Sequence, residues 1–318
     1  MLAEAELPAS APGYRRALAL AEWLAPAGRL WAIEGTGSDG AGLTRFLAGR
    51  GERVLEIERR AREPRRAGAK SDRIDALRAA RAALAHARLA VPRAAGQREP
   101  LRALLSTREG AVGARRAALN QLRALLVTAP EPLRARLRGL SEARLLAACT
   151  RLRPATSRHP GQRGLAIALR ACARRVRSTS AEAGELKREL ELLVGELAPQ
   201  LLAEEAVGPI CAAQLVVSWS HAGRFASEAG FARHAGAAPI PASSGQVVRS
   251  RLDRGGDRQL NRALHTILVA RHKRHAPTIA YIERRRSEGK SVREALRCLK
   301  RFLARHLFRL LEAGPLAT

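Results

Sequence analysis

The chain predicts a mixed fold, a short α/β segment followed by a mainly α protein, and three observations predict it. Strand signals come from two short runs, the apolar Leu30 to Glu34 and the alternating Arg53 to Ile57, both ahead of a basic loop that follows Ile57. Beyond that loop, leucine-periodic, charged segments of helical spacing dominate. Of the 318 residues 46% are hydrophobic but 3% aromatic, so the cores must be built from Leu, Ala and Val, which suits helices packed closely through small side chains.

From Pro12 to Leu24, the residues Tyr14, Leu18, Ala21 and Leu24 recur at helical spacing, and Leu30 to Glu34 reads as a short buried strand. After a glycine-rich turn, Ala41 to Ala48 is expected to be helical and Arg53 to Ile57 to form a second strand. Glu58 to Lys70 is a basic loop containing Pro64. Ser71 to Ala90 returns to helix, with Asp72 near its start and Pro92 just beyond its end. Leu101 to Val127 and Ser180 to Leu197 predict two helical arms. In the second, Leu186, Leu190, Leu193 and Leu197 make a coiled-coil seam over about two heptads, too short to stand alone. That arm is expected to pack on the first, or on a partner subunit, with Pro130 to Pro154 and the His159-Pro160-Gly161 turn between. Past Val207-Gly208-Pro209 the chain is again mostly helical, interrupted by the Gly/Ser/Pro-rich loop Gly236 to Gly256. The last helices, Asp257 to His275 and Ser291 to Leu311, are rich in arginine. The expected division is therefore 1–95, 96–205 and 206–318.

Fifty-seven Lys and Arg face 29 Asp and Glu, a formal charge of +28. Such a chain binds polyanions by releasing their counterions, which makes nucleic acid the first partner to consider. Scarcity of aromatics argues against single-strand binding on stacking platforms. Cys149, Cys172, Cys211 and Cys298 stand far apart with no C-x-x-C pair, which indicates neither a zinc knuckle nor a disulfide framework and suits a reducing cytoplasm. The longest weakly polar stretch, Ala206 to Trp219, falls short of the roughly 20 residues that span a bilayer, and no signal peptide is seen.

Three motifs carry chemistry. Gly35-Thr36-Gly37-Ser38-Asp39-Gly40 matches G-x-G-x-x-G after a strand, with Glu56 or Glu58 about twenty residues on, which is a dinucleotide fingerprint on paper. The arginine-rich helices that follow lack the further βαβ units such a domain needs. The same glycines would instead let an anionic ligand approach Glu34 at the strand's end. Asp72 and Asp75 lie three apart at a helix start, either as a capping arrangement or, with Glu34, as a Mg²⁺ site of a nucleic-acid-processing domain. Ser243 and Ser244 sit on a proline-stiffened loop ending in Gly245. Arg249, Arg251 and Arg254 follow, then Asp257 as an expected N-cap, with Arg258 and Arg262 on the helix behind it. Helix amides and arginines make a phosphate cradle beside which a serine could attack phosphorus; simple clamping of a phosphate backbone is the alternative. His272 and His275, among Arg271, Lys273 and Arg274, read as a solvated basic face.

Five runs in order and spacing add a resemblance: Ala32-Ile33-Glu34-Gly35-Thr36-Gly37-Ser38, Lys70 to Ala76, Asn120 to Leu126, Val207-Gly208-Pro209, and Ala238 to Gly245 through Arg254 to Asn261. Together they resemble transposases of the insertion-sequence 110 family over nearly the whole chain. The resemblance implies a RuvC-like, RNase H-type first domain with a D-E-D-D tetrad, a helical coiled-coil middle, and a mostly helical C-terminal transposase domain with a nucleophilic serine. It implies DNA recombination in the cytoplasm by a homo-oligomer, dimer or tetramer, with Mg²⁺ as cofactor and a structured guide RNA specifying the DNA. Glu34 would be the tetrad's second member, Asp72 and Asp75 its third and fourth, and Ser244 the nucleophile, with Ser243 as a rival. The first aspartate of this chain is Asp39, so the tetrad's first member is missing from its expected place. The expectation is an N-terminally truncated copy or a mis-assigned start, with weak or no recombination by a protein that truly starts at Met1. A decayed nucleic-acid-binding remnant and a dinucleotide-dependent enzyme are the competing readings.

Overall fold

In the computed structural model of the chain, Ser10 begins the first element: its hydroxyl accepts from the Gly13 amide, and Pro12 stands in the first turn of α1 (Ala11–Leu24). The structure describes residues 3–57, 72–85, 91–93, 96, 98–154, 159–241, 250–251, 253 and 255–315, and only the backbone of 72–74, 241 and 250. Two compact units, 1–96 and 97–318, are formed.

In the first unit β1 (Trp31–Glu34) and β2 (Val54–Ile57) pair in parallel, Trp31 opposite Val54 and Glu34 opposite Ile57, with α2 (Ala41–Ala48) as the crossover that parallel strands require. Leu18, Ile33, Leu47 and Val54 form the core, flanked by Trp31, Leu43 and Phe46. Just before β2, the Glu52 carboxylate accepts from Arg29 Nε at 2.9 Å and Trp31 Nε1 at 2.8 Å, tying the two strand entries together. The last element, α3 (Asp72–Ala85), packs on both strands. Residues 58–71 and 86–90, the expected basic loop and the end of the third helix, lie outside the described residues.

The second unit is built on an antiparallel arm of α4 (Arg98–Val127) and α7 (Pro160–Leu197), capped by α5 (Glu131–Leu137) and α6 (Glu142–Thr150). Arg115 Nε donates to Ser180 Oγ at 3.0 Å and Arg175 to Gln121 Oε1 at 3.3 Å, while Leu101 shares a core with Leu190 and Val194. The second arm thus packs on the first. It also begins twenty residues before the expected Ser180, with His159 as N-cap and Pro160 in the first turn. Its buried line runs Leu169, Cys172, Ala173, Val176, Ala183, Leu190 and Val194; the first half of this seam is held by small residues, which leucine periodicity does not reveal.

The arm's root is continuous with the rest of this unit. After the single turn α8 (Pro199–Leu202), α9 (Pro209–Trp219) is apolar on every side and lies buried at the centre, with Ala212, Ala213 and Leu215 to Trp219 all covered. Of the helices that follow, α11 (Arg258–Arg274) and α13 (Val292–Glu312) pack against it, while α10 (Glu228–His234) lies on α13 and α12 (Ala276–Ser287) on α11 and α13. Trp219, Phe231 and Phe308 join the core, the two phenyl rings stacked at 5.5 Å. Each such side chain contributes about 1.5–3 kcal/mol on burial. Leu101, Leu190 and Val194 of the arm belong to this same core, so the expected boundary near residue 205 falls inside one hydrophobic cluster. Between α10 and α11, the segment read as a loop contains a short antiparallel hairpin, β3 (Ile240–Pro241) and β4 (Ser250–Arg251), with Ile240 opposite Arg251.

Candidate functional site

Glu34 ends β1, and the turn after it explains two of the three glycines. Gly35 adopts φ +68°, the left-handed region that glycine enters without strain. A Cβ on Gly40 would stand 2.7 Å from Ile33 Cγ2 and 2.9 Å from the Glu34 oxygen, so only glycine lets α2 start that close to the strand. A Cβ on Gly37 would meet nothing. The Ser38 and Gly40 amides both donate to the Gly35 oxygen, at 2.8 and 3.0 Å. Two amides that a pyrophosphate would need are therefore spent inside the turn, which weighs against the dinucleotide reading.

Asp75 lies on α3, which packs against β1, and is half exposed with Arg78 Nη1 at 3.9 Å. Asp72 is the first residue of that helix; its side chain lies outside the description. Among the described side chains no three of His, Cys, Asp and Glu converge on a common point. The donor chemistry of Glu34, Asp72 and Asp75 nonetheless fits a hard divalent cation, being carboxylate oxygen alone with neither sulfur nor imidazole.

The second site is the base of the hairpin. A Cβ on Gly256 would lie 2.3 Å from the Gly236 nitrogen and 2.8 Å from the His234 oxygen, so the two ends of the segment meet backbone to backbone. Gly236 takes φ +60° to make this approach. The junction is pinned by the Asp257 amide donating to the His234 oxygen at 2.7 Å and by Asn261 Nδ2 donating to the Ala235 oxygen at 2.6 Å. Lys300 Nζ donates to Asn261 Oδ1 at 2.9 Å, and burial, with Arg297 near, holds its ammonium below the usual lysine range.

Asp257 is the N-cap the sequence predicts, its Oδ1 accepting from the Gln259 and Leu260 amides at 2.9 and 3.0 Å. Its other oxygen does more than spacing could reveal: Oδ2 accepts from Ser218 Oγ of α9 at 2.7 Å and lies 3.7 Å from His234 Nε2. An open cleft of ≈ 400 Å³ adjoins it, lined by Gly230, Arg233, His234, Asp253, Gly255 and Gly256. Sequence reasoning missed Arg233, His234 and Asp253 there; the only local signal was two basic residues just ahead of the glycine-bounded loop and an acidic residue just before its closing glycines.

Of the residues expected to form the phosphate site, Ser243, Ser244, Arg249 and Arg254 lie outside the described residues. Arg251 on β4 and Arg258 at the start of α11 are exposed. Arg262 Nη2 instead donates to Glu109 of α4 at 3.0 Å, joined there by Gln259. The Gln259 hydrogen bond, and then Arg262, hold the Glu109 carboxyl below its ordinary value against the effect of burial. His275 is no part of a solvated face: its Nδ1 accepts from the Thr278 amide at 3.3 Å and lies 2.8 Å from the Thr278 hydroxyl, capping α12. Among the described residues no helix is long and apolar enough to cross a membrane.

Two family models match the chain. One, described as a transposase and named for the DEDD set of IS110 elements, covers residues 1–129 and so takes in Glu34, Asp72 and Asp75. The other, described as the transposase IS116/IS110/IS902 family, covers 199–283, from α8 into α12, including the hairpin. Among curated proteins the chain is similar to the "Insertion element IS110 uncharacterized 43.6 kDa protein" of Streptomyces coelicolor, at 33% identity over 137 residues, which are 41% of this chain and 34% of that relative. The chain thus spans about a third of the relative's length.

Proposed function

Because the chain belongs to the IS110 family of insertion-sequence transposases, we propose that it is a DNA transposase, cleaving and rejoining DNA strands in the movement of an insertion sequence. Its first unit is then an RNase H-type acidic domain, of which the parallel β1-α2-β2 unit is the described part. Glu34, Asp72 and Asp75 would hold a divalent cation, Mg²⁺ by donor chemistry, which would supply positive charge to a bound phosphate. Ser244 Oγ attacks phosphorus, forming a serine–phosphate ester; the bond from phosphorus to a deoxyribose oxygen breaks, and that oxygen takes up a proton and leaves as a hydroxyl. A deoxyribose hydroxyl of the new partner strand then attacks the same phosphorus and releases the serine. Arg251 and Arg258, with Arg249 and Arg254, neutralise the flanking phosphates. A homo-oligomer and a structured guide RNA that selects the DNA complete the proposal.

The observation that carries it is the hairpin base. A proline-stiffened loop bearing two serines springs from a rigid Gly236–Gly256 junction, directly before a capped helix whose first residue is an exposed arginine. A nucleophile needs such a rigid mount to meet phosphorus in line.

The test is strand transfer on a donor–target DNA pair by the purified full chain, with duplex binding measured alongside. Ser244→Ala is expected to abolish covalent protein–DNA product and transfer while leaving binding within about twofold, and Asp75→Asn to do the same to transfer. If Ser243→Ala abolishes the covalent product and Ser244→Ala does not, the neighbouring hydroxyl is the nucleophile. Wild-type DNA binding without any cleavage or transfer would replace the proposal by the decayed-remnant reading.

A further inference from the structure

The charge of the α4–α7 arm is concentrated in its outer half. Residues 115–177 contain fifteen arginines, no lysine and two carboxylates, a net charge of +13. The arm's root, 98–114 and 178–197, carries five basic and seven acidic residues, a net charge of −2. Both carboxylates of the outer half are already engaged: Glu131 by Arg134 and Arg138, and Glu142 by Arg115 and Arg123. The two carboxylates of the segment are thus shared among four of its fifteen arginines.

The arginines also share a side. On α7, Arg163, Arg170, Arg174 and Arg177 step by seven, four and three, which keeps them on one outward face, away from the buried seam of Leu169, Cys172 and Val176. On α4, Arg116 and Arg123 stand seven apart, at nearly the same rotation from the seam of Leu101, Ala118 and Leu122. Two antiparallel helices place residues of equal rotation from their common seam on the same side of the pair. The start of α6 and the residues just past its end reach that side too, as Glu142 beside Arg123 and the Leu152 oxygen, which accepts from Arg170 Nη1 at 3.5 Å, show. The helix adds Arg144, exposed like Arg116, Arg123, Arg163, Arg174 and Arg177. The α7 stripe alone is about 21 Å long at 1.5 Å per residue, the rise of about six base pairs.

We propose that this outer face of the arm is a docking surface for the phosphate backbone of duplex DNA, separate from the hairpin site. Duplex rather than single strand is favoured by the composition: residues 98–197 contain no Phe, Tyr or Trp to serve as base-stacking platforms, and a face of arginines suits contact with backbone phosphates. The assignment rests on the reading that the chain binds DNA, and it adds where the strand is held away from the serine loop.

The experiment compares the full chain with a five-fold arm variant, R116Q/R123Q/R163Q/R174Q/R177Q, with its all-lysine counterpart, and with R251Q/R258Q at the hairpin. Duplex DNA binding is followed against salt, with helix content and unfolding midpoint checked for each protein. Each phosphate contact adds about 0.9 to the slope of log affinity against log salt, so the glutamine variant should lose about 4–5 of slope. Between about 50 and 200 mM salt its affinity should then fall about 500-fold less than that of the wild type. The lysine variant should keep the slope. A glutamine variant with wild-type slope, while R251Q/R258Q loses slope, overturns the arm surface and leaves the DNA reading standing. Absence of binding by every protein overturns both. Equal losses on single-stranded and duplex DNA, or competition by duplex RNA with duplex DNA inert, overturn the assignment to duplex DNA.

Discussion

Substitution of Gly256 by alanine isolates the junction on which the serine hairpin depends. The added Cβ would meet the Gly236 nitrogen at 2.3 Å, the Gly236 Cα at 2.6 Å and the His234 oxygen at 2.8 Å. All three are backbone atoms of the facing segment, so no side-chain rotation relieves the overlap. The two strands of the junction must separate by about an ångström, straining the Asp257 amide bond to the His234 oxygen and the Asn261 bond to the Ala235 oxygen. Overpacking of this kind costs about 1–3 kcal/mol, and two weakened hydrogen bonds add about 1 kcal/mol each, so the expected loss is about 3–5 kcal/mol. Two neighbours calibrate it. At Gly255 a Cβ finds its nearest atom at 3.4 Å, an ordinary contact with Asp253 Oδ1, and Gly255→Ala should cost under about 0.5 kcal/mol. At Gly236 the space is tighter, 3.3 Å to the Asp253 oxygen, and φ is +60°, so alanine there should cost about 1–2 kcal/mol. Equilibrium urea unfolding followed by far-ultraviolet circular dichroism measures the series. With a slope of about 2.5 kcal/mol per molar, Gly256→Ala should lower the midpoint by about 1.2–2.0 M. A Gly256→Ala protein as stable as Gly255→Ala would refute the account of the junction.

Two further predictions concern groups that tie helices together. Asp257→Ala removes the α11 cap and the acceptor for Ser218, and should cost about 2–3 kcal/mol in urea unfolding, whereas Asp257→Asn, which keeps a capping oxygen, should cost about half as much. Burial alone would raise the Glu204 carboxyl, yet the His306 and Arg271 hydrogen bonds outweigh it and hold Glu204 below its ordinary value of 4.5. A carboxyl with a lowered native value stabilises the fold fully above the unfolded value and loses that contribution as pH falls through the native one. Wild type should therefore lose stability below about pH 4.5, and Glu204→Gln should flatten part of that loss while costing about 2–3 kcal/mol at neutral pH, since Arg271 is left buried without its carboxylate. Equal acid sensitivity in the two proteins would show that Glu204 is not the group responsible.

Legibility followed the range of the interaction. The first unit was readable nearly to the residue: strands expected at Leu30 to Glu34 and Arg53 to Ile57 form at Trp31–Glu34 and Val54–Ile57, and the helix Ala41–Ala48 forms as expected. Alternation, glycine turns and caps are local signals. The first twenty residues of α7 escaped because Leu169 is the single leucine of their buried line, the rest being Cys172, Ala173 and Val176, and small residues become a core only when a partner helix comes close. Arg262 read as a phosphate ligand, yet it holds Glu109, 153 positions away along the chain.

The sequence by itself determined the basic character, the helix-rich plan, the capping of α11 by Asp257, the glycine turn after Glu34, and the ordered motifs through which the family resemblance was found. The tertiary structure decided that the arm's root shares one core with α9, α11 and α13, that Gly236 and Gly256 touch, and that Asp257 reaches Ser218 and His234. The division has one physical reason. Caps, turns and periodicity depend on residues within a few positions, which a linear reading sees, whereas a shared core or a shared charged face depends on the distance between segments, which the chain order does not contain.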